Sequence, residues 1–167
     1  MKENKTNYKH FNSITTRWMD NDVYGHVNNV TYYSYFDTTI NHFLINNCGL
    51  NIKSDPVIAY IVHSDCTYHN GISFPDQIEI GLRINKIGTT SVTYGLALFN
   101  KGEEEASASA TFIQVFVNRE NEKPIAIPNK IKEVLILIIL IVSSNVKLFI
   151  AHVVGIKIRP SAQFLLR

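Results

Sequence analysis

Only two cysteines, Cys48 and Cys66, occur in this chain, and they lack the C-x-x-C spacing of a zinc or redox motif. They can form one bridge at most, which excludes a disulfide framework, points to no metal site, and reads as a pair of cytoplasmic thiols. An excess of one charge is missing too. Sixteen Lys and Arg against fourteen Asp and Glu leave a formal net charge of +2, too little for the broad positive field of non-specific nucleic-acid binding. Nucleic acid is therefore not an expected partner, although local basic residues can still meet a single phosphorylated ligand. A run of the roughly 20 apolar residues that a membrane helix needs is also lacking. The apolar stretch Val134 to Val142 stops at nine, and extending it to Ile156 admits Ser143, Ser144, Asn145, Lys147 and His152. No membrane partner is expected. The opening MKENKTNYKHFN has no apolar run of a secretory signal, so a cytoplasmic location is expected.

With 167 residues, 46% of them hydrophobic, there is material for one sizeable core and hardly for two. A weak alternation, with Ile14, Thr16 and Trp18 on one side, predicts a first strand from His10 to Trp18. Then Val30, Tyr33, Phe36, Ile40, Phe43 and Leu44 recur at helical steps, predicting an amphipathic helix from Asn29 to about Cys48, capped by Asn28 or Asn29 and ended by Gly49. Val57 to His63 is rich in β-branched residues. Beyond it Ile78, Ile80, Leu82 and Ile84 alternate with polar residues; so do Val92, Tyr94, Leu96 and Leu98, and a further alternation fills Ser107 to Val117. Turn signals at Gly88-Thr89-Thr90 and Asn100-Lys101-Gly102 join these runs into an antiparallel meander. A strand, a long helix and four strands bury their apolar faces most simply as an α+β layer, a curved antiparallel sheet of five or six strands wrapped round the helix. Its open edge is a place for a second chain, so a homodimer or homotetramer is expected. The domain is expected to occupy residues 1–130. Residues 131–167 form an apolar C-terminal extension, read as a packing helix or strand pair.

Chemistry concentrates in Arg17-Trp-Met-Asp20-Asn-Asp22-Val-Tyr-Gly25-His26-Val-Asn28-Asn29-Val-Thr-Tyr32. A carboxylate, a glycine and a histidine stand directly before a helix amino terminus, where unpaired N–H groups and a partial positive charge can bind an anion or polarise a carbonyl. Thioester hydrolysis needs such an arrangement, since negative charge grows on the carbonyl oxygen during attack.

The same segment resembles the D-x-D-x-x-G-H-V-N-N-x-x-Y signature of the 4-hydroxybenzoyl-CoA thioesterase-like branch of the hotdog superfamily. Tyr68, Phe74-Pro75-Asp76, Gly81-Leu82-Arg83, Ile87-Gly88 with Ser91, and Lys123-Pro124 to Pro128 extend the resemblance over roughly residues 10–130. It implies a hotdog fold and an acyl-CoA thioesterase that requires no cofactor, coenzyme A being part of the substrate. It places Asp22 as nucleophile or general base, the backbone N–H of Asn29 with its neighbours in the first helical turn as the oxyanion donors, and Gly25 at the close turn between them.

Several positions keep two readings. Asp22 in an arbitrary loop would be a turn residue with a local hydrogen bond. His26 is either a base or a residue that holds the loop, and Asn28 is a cap or a substrate contact. Tyr32 and Tyr35 are core or pocket wall. His63 stands where close relatives tend to carry glutamate; it is catalytic, tunes Asp22, or marks changed activity. Arg83, Lys86 and Ser91 border the Gly88 turn and are candidate contacts for coenzyme A phosphates, or solvated strand-end residues. His26, His63, His69 and Cys66 form no established metal spacing. The expected hydrolase has two competitors: an enoyl-CoA hydratase or dehydratase using histidine and a carboxylate, and a non-catalytic acyl-CoA-binding module.

Overall fold

The computed structural model describes residues 3–140. Five strands, β1 (His10–Thr15), β2 (Val57–Tyr68), β3 (Gln77–Ile87), β4 (Ser91–Asn100) and β5 (Ala108–Asn118), form one antiparallel sheet in the order β1-β3-β4-β5-β2, and the helix α1 (Asn29–Asn46) packs on it. The register aligns the apolar alternations. Ile80, Leu82 and Ile84 stand opposite Leu98, Leu96 and Tyr94, and these continue into Ala108, Ala110 and Phe112 of β5. Because alternate side chains leave a strand on one face, this apolar ladder meets Tyr32, Tyr35, Phe36, Ile40, Phe43 and Leu44 of α1 in the main core. Asn28 caps α1 by accepting the Val30 N–H at 3.1 Å. Gly49, at φ 66°, lets the chain reverse behind the helix.

The fold class is the one expected, a hotdog layer with five strands, but two element ends differ. The first strand stops at Thr15, because Arg17 and Asp20 close a 3-10 turn at Trp18–Asp20 that leaves Trp18 in solvent. Strand β2 runs five residues past His63. A register shift between Ile61 and His63 breaks its alternation, so its outer half does not read as a strand.

The opposite sheet face is covered by the N-terminal segment. The ring of Tyr8 lies on Gly81, where a Cβ would come within 2.6 Å of it, and packs with Ala97, Phe99 and Ala106. Arg83 stacks over Tyr8, its guanidinium 5.0 Å from the ring centroid, and both terminal nitrogens donate to Glu3 at 2.8 Å.

The boundary expected at residue 130 falls inside a second helix, α2 (Asn129–Leu140), whose Ile131 and Leu135 are fully buried in the main core beside β3. Lys130 ties its start to the chain after α1 by donating to Asp55 at 2.7 Å and to the Gly49 carbonyl at 3.1 Å. The second apolar run, with Lys147 and His152, lies outside the described residues. Among the described residues no helix is long and apolar enough to cross a membrane.

Candidate active site

The loop between β1 and α1 is held from below by Asp20, which is only 3% exposed. Its carboxylate accepts the Arg17 backbone N–H at 2.7 Å, Arg17 Nη2 at 2.8 Å and the Tyr35 hydroxyl at 2.5 Å. Burial opposes ionisation here, but the bonds from the Arg17 side chain, Tyr35 and the Arg17 backbone outweigh it and hold the carboxyl below its ordinary value. A carboxyl depressed in the folded state adds stability that is present above its unfolded pKa and is lost as pH falls through the folded one. Asp20→Asn is therefore expected to cost about 2 kcal/mol near neutral pH and to flatten the acid side of the stability profile. Urea midpoints taken between neutral pH and about pH 3 check this; equal acid slopes in the two proteins would refute it.

Two further ties place the loop. The Val27 N–H donates to the Ile72 carbonyl at 2.8 Å, and the Phe74 N–H donates to Asn21 Oδ1 at 3.0 Å. The Asp22 N–H donates to the His26 carbonyl at 2.8 Å and the Gly25 N–H donates back to the Asp22 carbonyl at 3.1 Å, a turn that Gly25 makes at φ 83°. Asp22 Oδ1 accepts the Tyr24 N–H at 2.8 Å. The local side-chain bond of the turn reading thus exists, and it occupies one carboxylate oxygen; Oδ2 has no partner among the described residues.

Asp22, His26 and Asn29 line one cleft of about 430 Å³, together with Tyr32, Tyr68 and the His69–Gly71 turn. The amide groups on either side of Asn29, at the start of α1, have acceptors. Asn28 donates to the Asp20 carbonyl at 2.8 Å, Val30 to Asn28 Oδ1 at 3.1 Å and Thr31 to the Asn28 carbonyl at 2.9 Å. The Asn29 N–H has no acceptor among the described residues. A free donor with the positive end of an 18-residue helix behind it suits a developing oxyanion.

His26 lies against Gly71, where a Cβ would sit 2.7 Å from its ring. Its ring makes no hydrogen bond among the described residues, so its side chain lines the cleft by packing and only its backbone carbonyl closes the loop. The opposite wall gained residues to which the sequence assigned no site role. Tyr68 donates its hydroxyl to the Asn29 carbonyl at 3.1 Å and meets Tyr32 edge-on, centroids 5.0 Å apart. Burial, and then the neighbouring Cys66 thiol, raise the Tyr68 phenol above its ordinary pKa. His69 Nε2 lies 3.0 Å from Ser109 Oγ. The Asn70-Gly71 pair just beyond β2 is the turn signal that could have drawn attention here.

Other candidates are not brought to this cleft within one chain. His63 is exposed on β2, with Nε2 3.9 Å from Asp65. Arg83 is engaged with Glu3 on the far sheet face, and Lys86 and Ser91 belong to the β3–β4 hairpin. Among the described residues no group of three or more His, Cys, Asp or Glu side chains is placed to hold a metal ion.

A family model described as the thioesterase-like superfamily matches residues 16–135, from the loop below Asp22 into α2. The chain belongs to this superfamily. Among solved structures this thioesterase-like protein is similar to the PA5185 protein of Pseudomonas aeruginosa strain PAO1, with 46% sequence identity and TM-score 0.81, over 83% of this chain and 96% of that one. It also shares its fold with the SAV2348 protein of Staphylococcus aureus, solved in complex with CoA, at 16% identity and TM-score 0.71, over 76% of this chain and 81% of that one. A 1,4-dihydroxy-2-naphthoyl-CoA thioesterase from Synechocystis, Slr0204, aligns at 13% identity and TM-score 0.69 over 75% and 94% of the two chains.

Proposed function

We propose that this protein is an acyl-CoA thioesterase. The observation that carries the proposal is that Asn29, whose N–H at the head of α1 has no acceptor among the described residues, lines the same cleft as Asp22, whose carboxylate keeps one oxygen without a partner among them. In this reading the thioester carbonyl oxygen is bound by the Asn29 N–H while Asp22 Oδ2 either takes a proton from a water that attacks the carbon, or attacks the carbon itself to give an acyl anhydride that a water then hydrolyses to the carboxylic acid and the free Asp22 carboxylate. Charge that develops on the oxygen meets a donor already in place, and the departing group is the coenzyme A thiolate. The CoA complex of the Staphylococcus aureus neighbour and the thioesterase from Synechocystis support coenzyme A as the thiol carrier. The test is thiol release by the purified protein from short, medium, long and aromatic acyl-CoAs. Turnover of at least one is expected, and hydration of an enoyl-CoA without thiol release would move the assignment to a lyase.

The cleft is proposed to be completed by a second copy of the chain. Val23 and Tyr24, which follow Asp22 in the chain, are 94% and 84% exposed, and Val30 in the first turn of α1 is 68% exposed. The edge strand β2 also leaves Tyr60, Ile61 and Val62 in solvent. Exposed apolar side chains next to Asp22 in the chain, and others along an edge strand of the sheet, fit self-association into a homodimer or homotetramer. Lys86 and Ser91 would contact coenzyme A phosphates only as contributions from such a copy. Light scattering on the eluting protein should give at least twice the chain mass of 19.0 kDa; a monomer mass would remove this part of the proposal.

A further inference from the structure

The donor assigned to the oxyanion is a backbone group on the first residue of a helix, and first turns fray unless something outside the helix holds them. Here the capping bond from Asn28 reaches Val30 and leaves Asn29 itself uncapped. Its N–H belongs to the Asn28–Asn29 peptide, whose carbonyl accepts the Thr31 N–H at 2.9 Å, and the tie that reaches this turn from outside the helix, on the next peptide, comes from Tyr68. This residue ends β2, paired with Ala108 of β5, so its backbone belongs to the sheet. Its hydroxyl crosses to the helix and donates to the Asn29 carbonyl at 3.1 Å, while its ring is set edge-on against Tyr32, at an interplanar angle of 88°, one turn along the same helix. Tyr32 is buried at 3% exposure and anchors that contact to the core.

We infer that Tyr68 is a positioning residue for the proposed thioester hydrolysis: by holding the Asn29 carbonyl, on the peptide that follows the donor's own, its hydroxyl ties the first turn of α1 to the sheet and limits the motion of the Asn29 N–H. The inference rests on the acyl-CoA thioesterase reading and deepens it. A fixed donor needs no reorganisation as charge builds on the carbonyl oxygen, whereas one on a loose first turn does. The loss therefore falls on the transition state and leaves ground-state binding little changed.

Tyr68→Phe is the variant to use, because it keeps the ring against Tyr32 and removes only the hydroxyl. With the full-length protein and the best acyl-CoA of the panel, kcat should fall about tenfold, less than the roughly 10²–10³-fold lost when an oxyanion donor is itself removed. KM should stay within about twofold. In the same variant without substrate, the amide resonances of Asn29 and Val30 should shift and the Asn29 amide should exchange faster with solvent. Wild-type kcat in Tyr68→Phe, or unchanged Asn29 amide behaviour, overturns the positioning role while Asp22-dependent turnover leaves the thioesterase reading standing. A lower melting temperature with unaltered kcat per folded molecule shows a structural residue only and overturns it too. If the wild-type protein releases no thiol from any acyl-CoA, the thioesterase reading falls, and the catalytic role of Tyr68 with it.

Discussion

Asp22→Asn should abolish thiol release from acyl-CoA, lowering kcat by about 10³-fold or more, within the range associated with losing a general base or a carboxylate nucleophile. The substitution is close to isosteric, and its retained Oδ1 can still accept the Tyr24 N–H that braces the turn. The loop should therefore keep its shape, with CoA binding and melting temperature near those of the wild type, and the loss should appear in the chemical step. An amide is neither a useful base nor a nucleophile towards a thioester, whichever role Asp22 plays. Steady-state thiol detection decides the matter, and Asp22→Asn turning over at the wild-type rate would remove this residue from the mechanism.

Phe36→Ala should be the most damaging single change to the fold. Phe36 is fully buried on the inner face of α1, next to Phe112 of β5 with ring centroids 6.0 Å apart, where helix and sheet meet. Removing its ring costs the transfer free energy of the lost atoms and leaves a cavity between two rigid elements that cannot close on it, about 3–5 kcal/mol in all. That corresponds to roughly 10 °C or more in melting temperature for a domain of this size. A urea titration should show the midpoint falling while the slope is kept. A loss below about 1 kcal/mol would mean that the helix and sheet pack less tightly than these contacts indicate.

The parts of the fold that could be read in advance share one property, a period that persists for several turns or pleats. The alternations from Ile78 to Ile84 and from Val92 to Leu98, and the helical spacing from Phe36 to Leu44, bury the residues they pointed to. Periodicity gave out where the backbone departs from regular geometry. The register shift in β2 hid its outer half, and with it the cleft wall at Tyr68 to Gly71. The bend at Trp18–Asp20 cut the first strand short. The apolar stretch from Val134 has no internal sign of which side would be covered, and packing beside β3 selected Leu135 within it, with Ile131 just before it.

The candidate site divides in the same way. Asp22, Gly25, His26 and Asn29 lie within one turn and one helix start, so their nearness to each other is a local matter that the chain's order settles. Short-range chemistry also settled the Asn28 cap and the positive φ of Gly25. Two questions depended on groups far away in the chain. Asp20 and Asp22 are alike on paper, yet Tyr35 and Arg17 take up Asp20 as a structural anion and leave Asp22 to the cleft. Arg83, a plausible phosphate contact by its place near a turn, is bound by Glu3, eighty positions away. Local order along the chain thus determined the elements and the loop that carries the chemistry, because turns, caps and amphipathic faces need only near neighbours. Only the tertiary structure decided which charged groups remain free to act, because that depends on the partners that folding brings from elsewhere.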